Sequence, residues 1–110
     1  MNSKQTQKIY RELRPEVNKL CWSSTHNNCF RAGINETDAH IKKKFERWLY
    51  WRRLGATVFT ELILKSGLRP DILVVTDEKI FIEEIVKSES NESIELKKTE
   101  YPWELTRVEC

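Results

Sequence analysis

Apolar residues recur at helical spacing in two parts of the first half of the chain. They share one face in each part: Ile9 and Leu13 in the first, and Ile41, Phe45, Trp48 and Leu49 in the second. Asn35 or Thr37 can cap the second part, and Gly55 can end it, because glycine readily adopts the left-handed conformation found after helices. The pattern predicts helices over residues 4–14 and about 37–54.

The hydrophobic pattern changes after Gly55, where β-branched and apolar residues form short segments separated by turn-forming residues. Strands are predicted over four such segments: residues 56–64, 71–76, 79–87 and 103–108. Shorter helices are predicted over 15–22 and over 94–101, the latter ended by Pro102. We therefore expect an α/β or α+β fold, with a central mixed sheet of about four strands flanked by helices.

No linker or repeat divides the 110 residues, so we expect a single domain, with a helical extension and loop over 1–35 and a core over 36–110. No apolar run approaches the ~20 residues that span a bilayer, and the opening MNSKQTQKIY lacks the apolar stretch of a secretory signal. Three cysteines, an odd number, argue against a disulfide framework. These features predict an intracellular protein of a reducing compartment, without membrane contact.

The net charge of +2 conceals two halves of opposite sign. Residues 1–55 carry +7 and residues 56–110 carry −5. The basic half is suited to phosphates and the acidic half to divalent cations, although charges of this kind can also simply solvate two surfaces. The candidate phosphate contacts are basic residues of the two predicted helices: Lys4, Lys8, Arg11, Arg14, Lys42, Lys43, Lys44, Arg47, Arg52 and Arg53.

Three acids fall among apolar neighbours in the predicted strands. Alternation places Glu61 on the face of Phe59, Asp71 at the start of the second strand, and Glu84 on the face of Ile82. Burial of a lone carboxylate is costly, so such acids need partners. One such acid is best explained as an exposed edge residue, whereas three on adjacent strands beside a basic helix favour a divalent metal ion.

The stretch GATVFTELILKSGLRPDILVVTDEKIFIEEIVKSES resembles the PD-(D/E)XK, or restriction-endonuclease-like, nuclease superfamily. Pro70-Asp71 begins a strand, and Glu84 follows thirteen residues later on the next one, a spacing similar to that of Holliday-junction resolvases. The helix HIKKKFERWLYWRRLG matches the amphipathic helix before the family's first strand, and SGLRPDILVV with IEEIVKSE also resembles the competence-type branch. The resemblance covers about residues 37–108.

The resemblance implies metal-dependent hydrolysis of DNA phosphodiester bonds, and it leaves open whether the cleavage is selective for DNA structure. Asp71 and Glu84 would hold a magnesium ion, for which manganese could substitute, with Glu61 and the backbone carbonyl of Ile85 as further ligands. The family's lysine orients the attacking water. Small enzymes of this kind often cut as homodimers, and Trp51 or Trp103 could lie in the interface.

The position of the family's lysine holds Val86, and Lys87 follows one residue later. On a regular strand Lys87 points away from Glu84, so its catalytic use requires a bulge at Ile85–Val86. Lys44 or His40 of the preceding helix could supply the group instead. The departure also leaves open a module that binds DNA or assembles with other proteins but no longer cleaves.

A third hypothesis is a small zinc-stabilised binding protein. Its candidate ligands are Cys21, His26, Cys29 and His40. Their spacing differs from the paired patterns typical of zinc sites. Zinc is therefore the least favoured of the three readings. The tryptophans could stack nucleic-acid bases, but in so small a domain Trp48 is expected in the core.

Overall fold

The computed structural model describes residues 2–18, 27–33, 36–86 and 100–110. It contains two α-helices, α1 (Ser3–Lys8) and α2 (Asp38–Arg53). It also contains four strands: β1 (Thr57–Thr60), β2 (Ile72–Val75), β3 (Ile80–Val86) and β4 (Glu104–Glu109). None of the helices in these ranges has the length and apolar character needed to cross a membrane.

The four strands form one mixed sheet in the order β1-β2-β3-β4. Two antiparallel pairings join β1 to β2 and β2 to β3, because the turns at residues 65–67 and 77–78 reverse the chain. β4 then pairs with β3 in parallel, which requires the chain to cross back from one end of the sheet to the other. The predicted α+β fold with a four-stranded mixed sheet is therefore confirmed.

Alternation along the strands gives the sheet two apolar faces. One face carries Phe59, Leu73 and Ile82, which pack with Ile9 and Leu13 of the N-terminal helical segment. The other face is covered by Trp48 and Trp51 of α2, packed on a second buried group: Ala56, Val58, Ile72, Val74, Phe81 and Ile85. The sheet thus lies between two helical layers, which explains why every residue of β1, β2 and β3 is buried.

The N-terminal helix is shorter than predicted. α1 ends at Lys8 and continues as a wider helical turn over Ile9–Leu13 and a tighter one over Arg14–Glu16. Pro15 explains the change, since proline cannot donate the backbone hydrogen bond of a helix interior. Val17 is already extended and bridges to Leu64, so the short helix predicted over 15–22 ends at Glu16 and is wrong at Val17 and Asn18. Residues 19–22 lie outside the described ranges.

The buried side chain of Gln5 connects α1 to the sheet through hydrogen bonds. The Gln5 amide donates to the carbonyl of Gly55 and to Asp77 Oδ1, both at 2.9 Å. Its carbonyl oxygen accepts from the Thr57 hydroxyl at 2.7 Å. Asn2 adds a second amide donor to Asp77 at 2.7 Å. These two amide donors lower the pKa of Asp77, because they stabilise the charged carboxylate.

The outer edge of β1 is covered by residues 27–33. The backbone N–H of Asn28 donates to the Val58 carbonyl at 2.9 Å, and the Val58 N–H donates to the Asn28 side chain at 2.8 Å. Arg31 donates its N–H to the Thr60 hydroxyl at 2.7 Å. Asn28 is in the left-handed region with φ of 56°, which asparagine tolerates better than most residues.

Candidate metal centre at the start of strand β2

The first turns of α2 present three polar side chains on one face. Glu36, His40 and Lys44 lie four residues apart, a spacing that stacks side chains along a helix. Thr37 caps the helix, and its hydroxyl accepts from the His40 N–H at 3.2 Å, as the sequence predicts. The chain before the cap therefore holds Glu36 next to the first turn of the helix.

Asp71, which directly precedes β2, meets this face of α2. Its Oδ2 lies 3.4 Å from His40 Nε2, and His40 Nδ1 lies 3.5 Å from Glu36 Oε1. Glu36, His40 and Asp71 can each offer one ligand atom such that all three atoms lie within 4.8 Å of one another. We call these three residues the candidate metal centre.

Two atoms of the candidate metal centre are buried without a hydrogen bond from the described residues, although His40 Nδ1 lies 3.5 Å from Glu36 Oε1. Neither Glu36 Oε2 nor His40 Nδ1 has a hydrogen bond within the described ranges, although both are inaccessible to solvent. Buried acceptors of this kind are rare in folded proteins and call for an explanation. A bound cation that accepts both lone pairs provides one.

Asp71 is held in place by the backbone of β3. Its Oδ2 accepts the N–H of Ile85 at 2.8 Å. This bond fixes the carboxylate at the end of the sheet, where β2 begins and β3 approaches its end. The sequence expectation assigned the carbonyl of Ile85 to the metal, whereas the contact that the structure describes is between the N–H of Ile85 and Asp71.

Lys44 is a fully buried cation between two carboxylates. Its Nζ lies 2.7 Å from Glu61 Oε1 and 2.9 Å from Glu36 Oε1, and its side chain is 0% exposed. Arg69 contacts the other oxygen of Glu61 at 3.3 Å. The expectation that Lys44 belongs to an exposed basic surface is therefore wrong, because two acids pair with it inside the protein.

The position predicted for Glu61 within a strand is also wrong. β1 ends at Thr60, and Glu61 has a φ of 58°, which a strand cannot accommodate. This left-handed turn directs the carboxylate to Lys44 of α2, on the side of the sheet opposite Phe59. Uncommon backbone conformations of this kind cluster at functional sites.

Glu84 lies on the face of β3 that carries Ile82 and Val86, as alternation predicts. It is 5% exposed, and its Oε1 accepts a hydrogen bond from the Tyr101 hydroxyl at 2.9 Å. Burial and the negative charges of Glu84 and Asp71 raise the pKa of Tyr101, because both disfavour a phenolate. Asp71 and Glu84 therefore both act electrostatically on the same buried phenol.

This interaction predicts a loss of stability in alkali. Tyr101 is protonated in the folded state at pH values where an unfolded tyrosine, with a pKa of about 10, ionises. The folded state then binds more protons than the unfolded state, so its free energy of unfolding falls as pH rises above about 10. Tyr101→Phe should show a shallower decrease in urea unfolding experiments between pH 8 and 11. Equal slopes for both proteins would contradict the assignment.

The sequence-predicted acids are thus distributed over the site rather than gathered on one ion. Among the described residues, the candidate metal centre is the one group of three potential ligands at binding distance, and of the predicted magnesium ligands it contains Asp71 alone. Glu61 pairs with Lys44, and Glu84 with Tyr101. Glu36 was missed as a ligand. Its signal was the spacing of Glu36, His40 and Lys44, three polar side chains on one helical face.

Lys87 lies outside the described residues. β3 and β4 pair in continuous register up to Val86 opposite Glu109, so the strand contains no bulge at Ile85–Val86. The bulge that would turn Lys87 towards Glu84 is therefore absent from β3 up to Val86.

The predicted DNA-backbone contacts divide into exposed and paired side chains. Arg47 forms a bidentate pair with the buried Glu83, at 3.0 and 2.8 Å, and this bond raises the pKa of Arg47. Lys43 contacts Glu46 at 3.1 Å, and Lys8 contacts Glu12 at 3.8 Å. The exposed members of the set are Lys4, Arg11, Arg14, Lys42, Arg52 and Arg53.

The zinc hypothesis receives no support from the two candidate ligands that are described. Cys29 Sγ lies 4.0 Å from the carbonyl of its neighbour Phe30, and His40 belongs to the candidate metal centre. Cys21 and His26 lie outside the described residues.

No protein-family model, curated protein or solved structure matches this chain. Its function is therefore inferred from the geometry of the candidate metal centre.

Proposed function

We propose that this protein is a metal-dependent endonuclease that hydrolyses phosphodiester bonds of DNA. The observation that carries the proposal is the convergence of Glu36, His40 and Asp71, from the start of α2 and the start of β2, with all three ligand atoms within 4.8 Å. The resemblance to PD-(D/E)XK nucleases supports the same reaction, since it also makes Asp71 a metal ligand and implies a mixed sheet of about four strands, as observed.

The donor set of the candidate metal centre favours manganese over magnesium. Two carboxylates suit either ion, whereas an imidazole nitrogen suits transition metals and is an unusual ligand for magnesium. Within the described residues, Glu36 Oε2 and His40 Nδ1 are the buried atoms of the candidate metal centre that have no hydrogen bond. We propose that Glu36, His40 and Asp71 hold one divalent cation, which supplies Lewis-acid activation of a water molecule and of the scissile phosphate.

The surrounding residues orient the ligands. Lys44 holds one oxygen of Glu36, at 2.9 Å, which leaves the other oxygen for the cation. The Ile85 N–H similarly fixes Asp71. Such outer contacts determine ligand orientation and affect metal affinity as strongly as 10- to 100-fold. The exposed basic residues of α1 and α2 would then contact flanking phosphates without reading sequence.

One observation favours a second candidate, a DNA-binding module without cleavage. The ammonium of Lys44 is engaged by both Glu36 and Glu61, so in this arrangement it is not directed at a phosphate. An enzyme that relied on this lysine for transition-state charge would need a freer ammonium. The two candidates differ in one result, the dependence of DNA cleavage on a divalent cation.

The first test is incubation of the protein with supercoiled plasmid and with branched DNA. We expect cleavage with Mn²⁺, slower cleavage with Mg²⁺ and none with EDTA. Binding of both DNAs without cleavage under any of these conditions would support the inactive module and overturn the nuclease assignment.

The second test measures the cation directly. Titration of the protein with Mn²⁺, followed by electron paramagnetic resonance, should show a site that Glu36→Gln weakens by more than about 10-fold. Glu46→Gln is the matched control, because Glu46 lies on α2, which Glu36 precedes, with its side chain 52% exposed and paired only with Lys43 among the described residues. Equal Mn²⁺ affinity in the two variants would remove Glu36 from the site.

A further inference from the structure

A second face of α2 presents an aromatic patch, formed by Phe30, Phe45 and Trp48. Phe30 meets Phe45 edge-on, with ring centroids 5.3 Å apart, and meets Trp48 at 5.8 Å. Phe45 and Trp48 are stacked at 5.7 Å with an angle of 26° between their planes. Phe45 is 44% exposed, although the hydrophobic pattern alone predicted it on the buried side of the helix. Contacts with the rings of Phe30 and Trp48 hold the Phe45 ring in this orientation.

Cations surround the aromatic patch. The Arg52 guanidinium lies 5.9 Å from the centre of the Trp48 ring. Lys42 lies three residues before Phe45 on the same helix, and Arg31 follows Phe30 directly; all three cations are exposed. Within the described part of the chain, none of the three has a carboxylate within 4.0 Å. The patch therefore combines an exposed ring with positive charges available to an anionic partner.

We propose that the aromatic patch binds unpaired bases of single-stranded nucleic acid. Surfaces that bind single strands combine aromatic side chains, on which bases stack, with positive charges that follow the backbone. The face of a base is open in a single strand and covered by its neighbours in a duplex. Phe45 supplies the exposed ring, and Lys42, Arg31 and Arg52 supply the charges.

The position of the patch links it to the candidate metal centre. Phe45 follows Lys44 directly, and it lies roughly 8 Å along the helix axis from His40 at 1.5 Å per residue. Around the helix axis Phe45 and His40 are about 140° apart, so a strand with a base stacked on Phe45 would pass around the helix before its backbone reaches the candidate metal centre. The consequence for the substrate rests on the proposed function: the DNA that the nuclease cleaves would contain an unpaired segment, as branched or frayed DNA does. The binding itself is independent of cleavage.

The test measures binding without catalysis. Asp71→Asn protein in EDTA is titrated into a fluorescein-labelled oligothymidylate of about 20 nucleotides, longer than typical single-strand sites, and anisotropy is recorded. Phe45→Leu, which keeps the apolar volume and removes the ring, should weaken binding by about 5- to 100-fold, the range for loss of one stacked base. Phe45→Trp should restore or strengthen the wild-type affinity.

The matched control is Tyr50→Leu in the same background. Tyr50 is 47% exposed, but it lies about 140° around the helix from Phe45. Its loss should leave oligothymidylate affinity unchanged. Neither substitution should alter the affinity for a blunt duplex of two fully paired strands of the same length.

Three results obtained with Phe45→Leu would overturn the inference. They are equal oligothymidylate affinity of Phe45→Leu and its parent, an equal loss of duplex binding in Phe45→Leu, and concentration-dependent self-association that Phe45→Leu abolishes. The last result would assign the patch to a second copy of the chain. Single-strand binding without any cation-dependent cleavage by the unmodified protein would refute the proposed function alone. Duplex cleavage without single-strand binding would refute this inference alone.

Discussion

Replacement of Asp71 by Asn is expected to reduce cation-dependent DNA cleavage by at least about 100-fold. The carboxylate is the one group that is both a magnesium ligand expected from the sequence and a member of the candidate metal centre. The Asn side chain has nearly the same shape and keeps an oxygen that can accept the Ile85 N–H, so the fold should persist. The loss should therefore come from the missing negative charge, and initial cleavage rates in Mn²⁺ measure it.

Asp77→Asn provides the control for this experiment. Asp77 follows β2 at the opposite end of the strand from Asp71, and the amides of Asn2 and Gln5 are its partners. Its substitution should leave the cleavage rate unchanged. If Asp71→Asn cleaves at the wild-type rate, the candidate metal centre has no catalytic role, and Glu84 becomes the acid to test next.

Replacement of Lys44 by Met should cost about 3 kcal/mol of the free energy of unfolding, the lower end of the range for breaking a buried ion pair. Met fills a similar volume, so the cost arises from charge. Without the ammonium, Glu36 and Glu61, whose side chains are only 14% and 16% exposed, face one another as neighbouring anions. This is a large fraction of the stability of a small domain, and urea unfolding measures it.

A triple variant distinguishes charge from packing. Lys44→Met combined with Glu36→Gln and Glu61→Gln removes all three charges, and it should recover most of the lost stability. Lys42→Met, at an exposed position of the same helix, should be nearly neutral. A triple variant as unstable as Lys44→Met would show that the lysine stem, rather than its charge, is required.

The elements of the fold were predictable because each is encoded locally. Short runs of apolar and β-branched residues between turns place β2 and β3 within two residues of their observed ends. Gly55 ends α2 because it adopts a φ of 88°, and Thr37 caps its start. The four-stranded mixed sheet follows from these elements together with the turns between them.

The site was predictable only in part, because it depends on contacts between distant segments. Asp71 could be identified from its position before a strand. Glu61 was assigned to a strand face, since alternation cannot reveal a left-handed residue that ends the strand early. Lys44 was assigned to the surface because a lysine is rarely buried, and the two carboxylates that permit its burial come from outside the helix. Phe45 was assigned to the core because phenylalanine is usually buried, although its side chain is 44% exposed.

The contact between Asn28 and Val58 has a consequence for how copies of this protein can associate. An edge strand normally offers free N–H and C=O groups on which a strand of another molecule can add. Here the N–H of Val58 is bonded to the Asn28 side chain and its C=O to the Asn28 backbone. A dimer, or an aggregate, that continued the sheet across β1 would first have to displace residues 27–33. A homodimer that leaves residues 27–33 in place must therefore use a surface other than this edge.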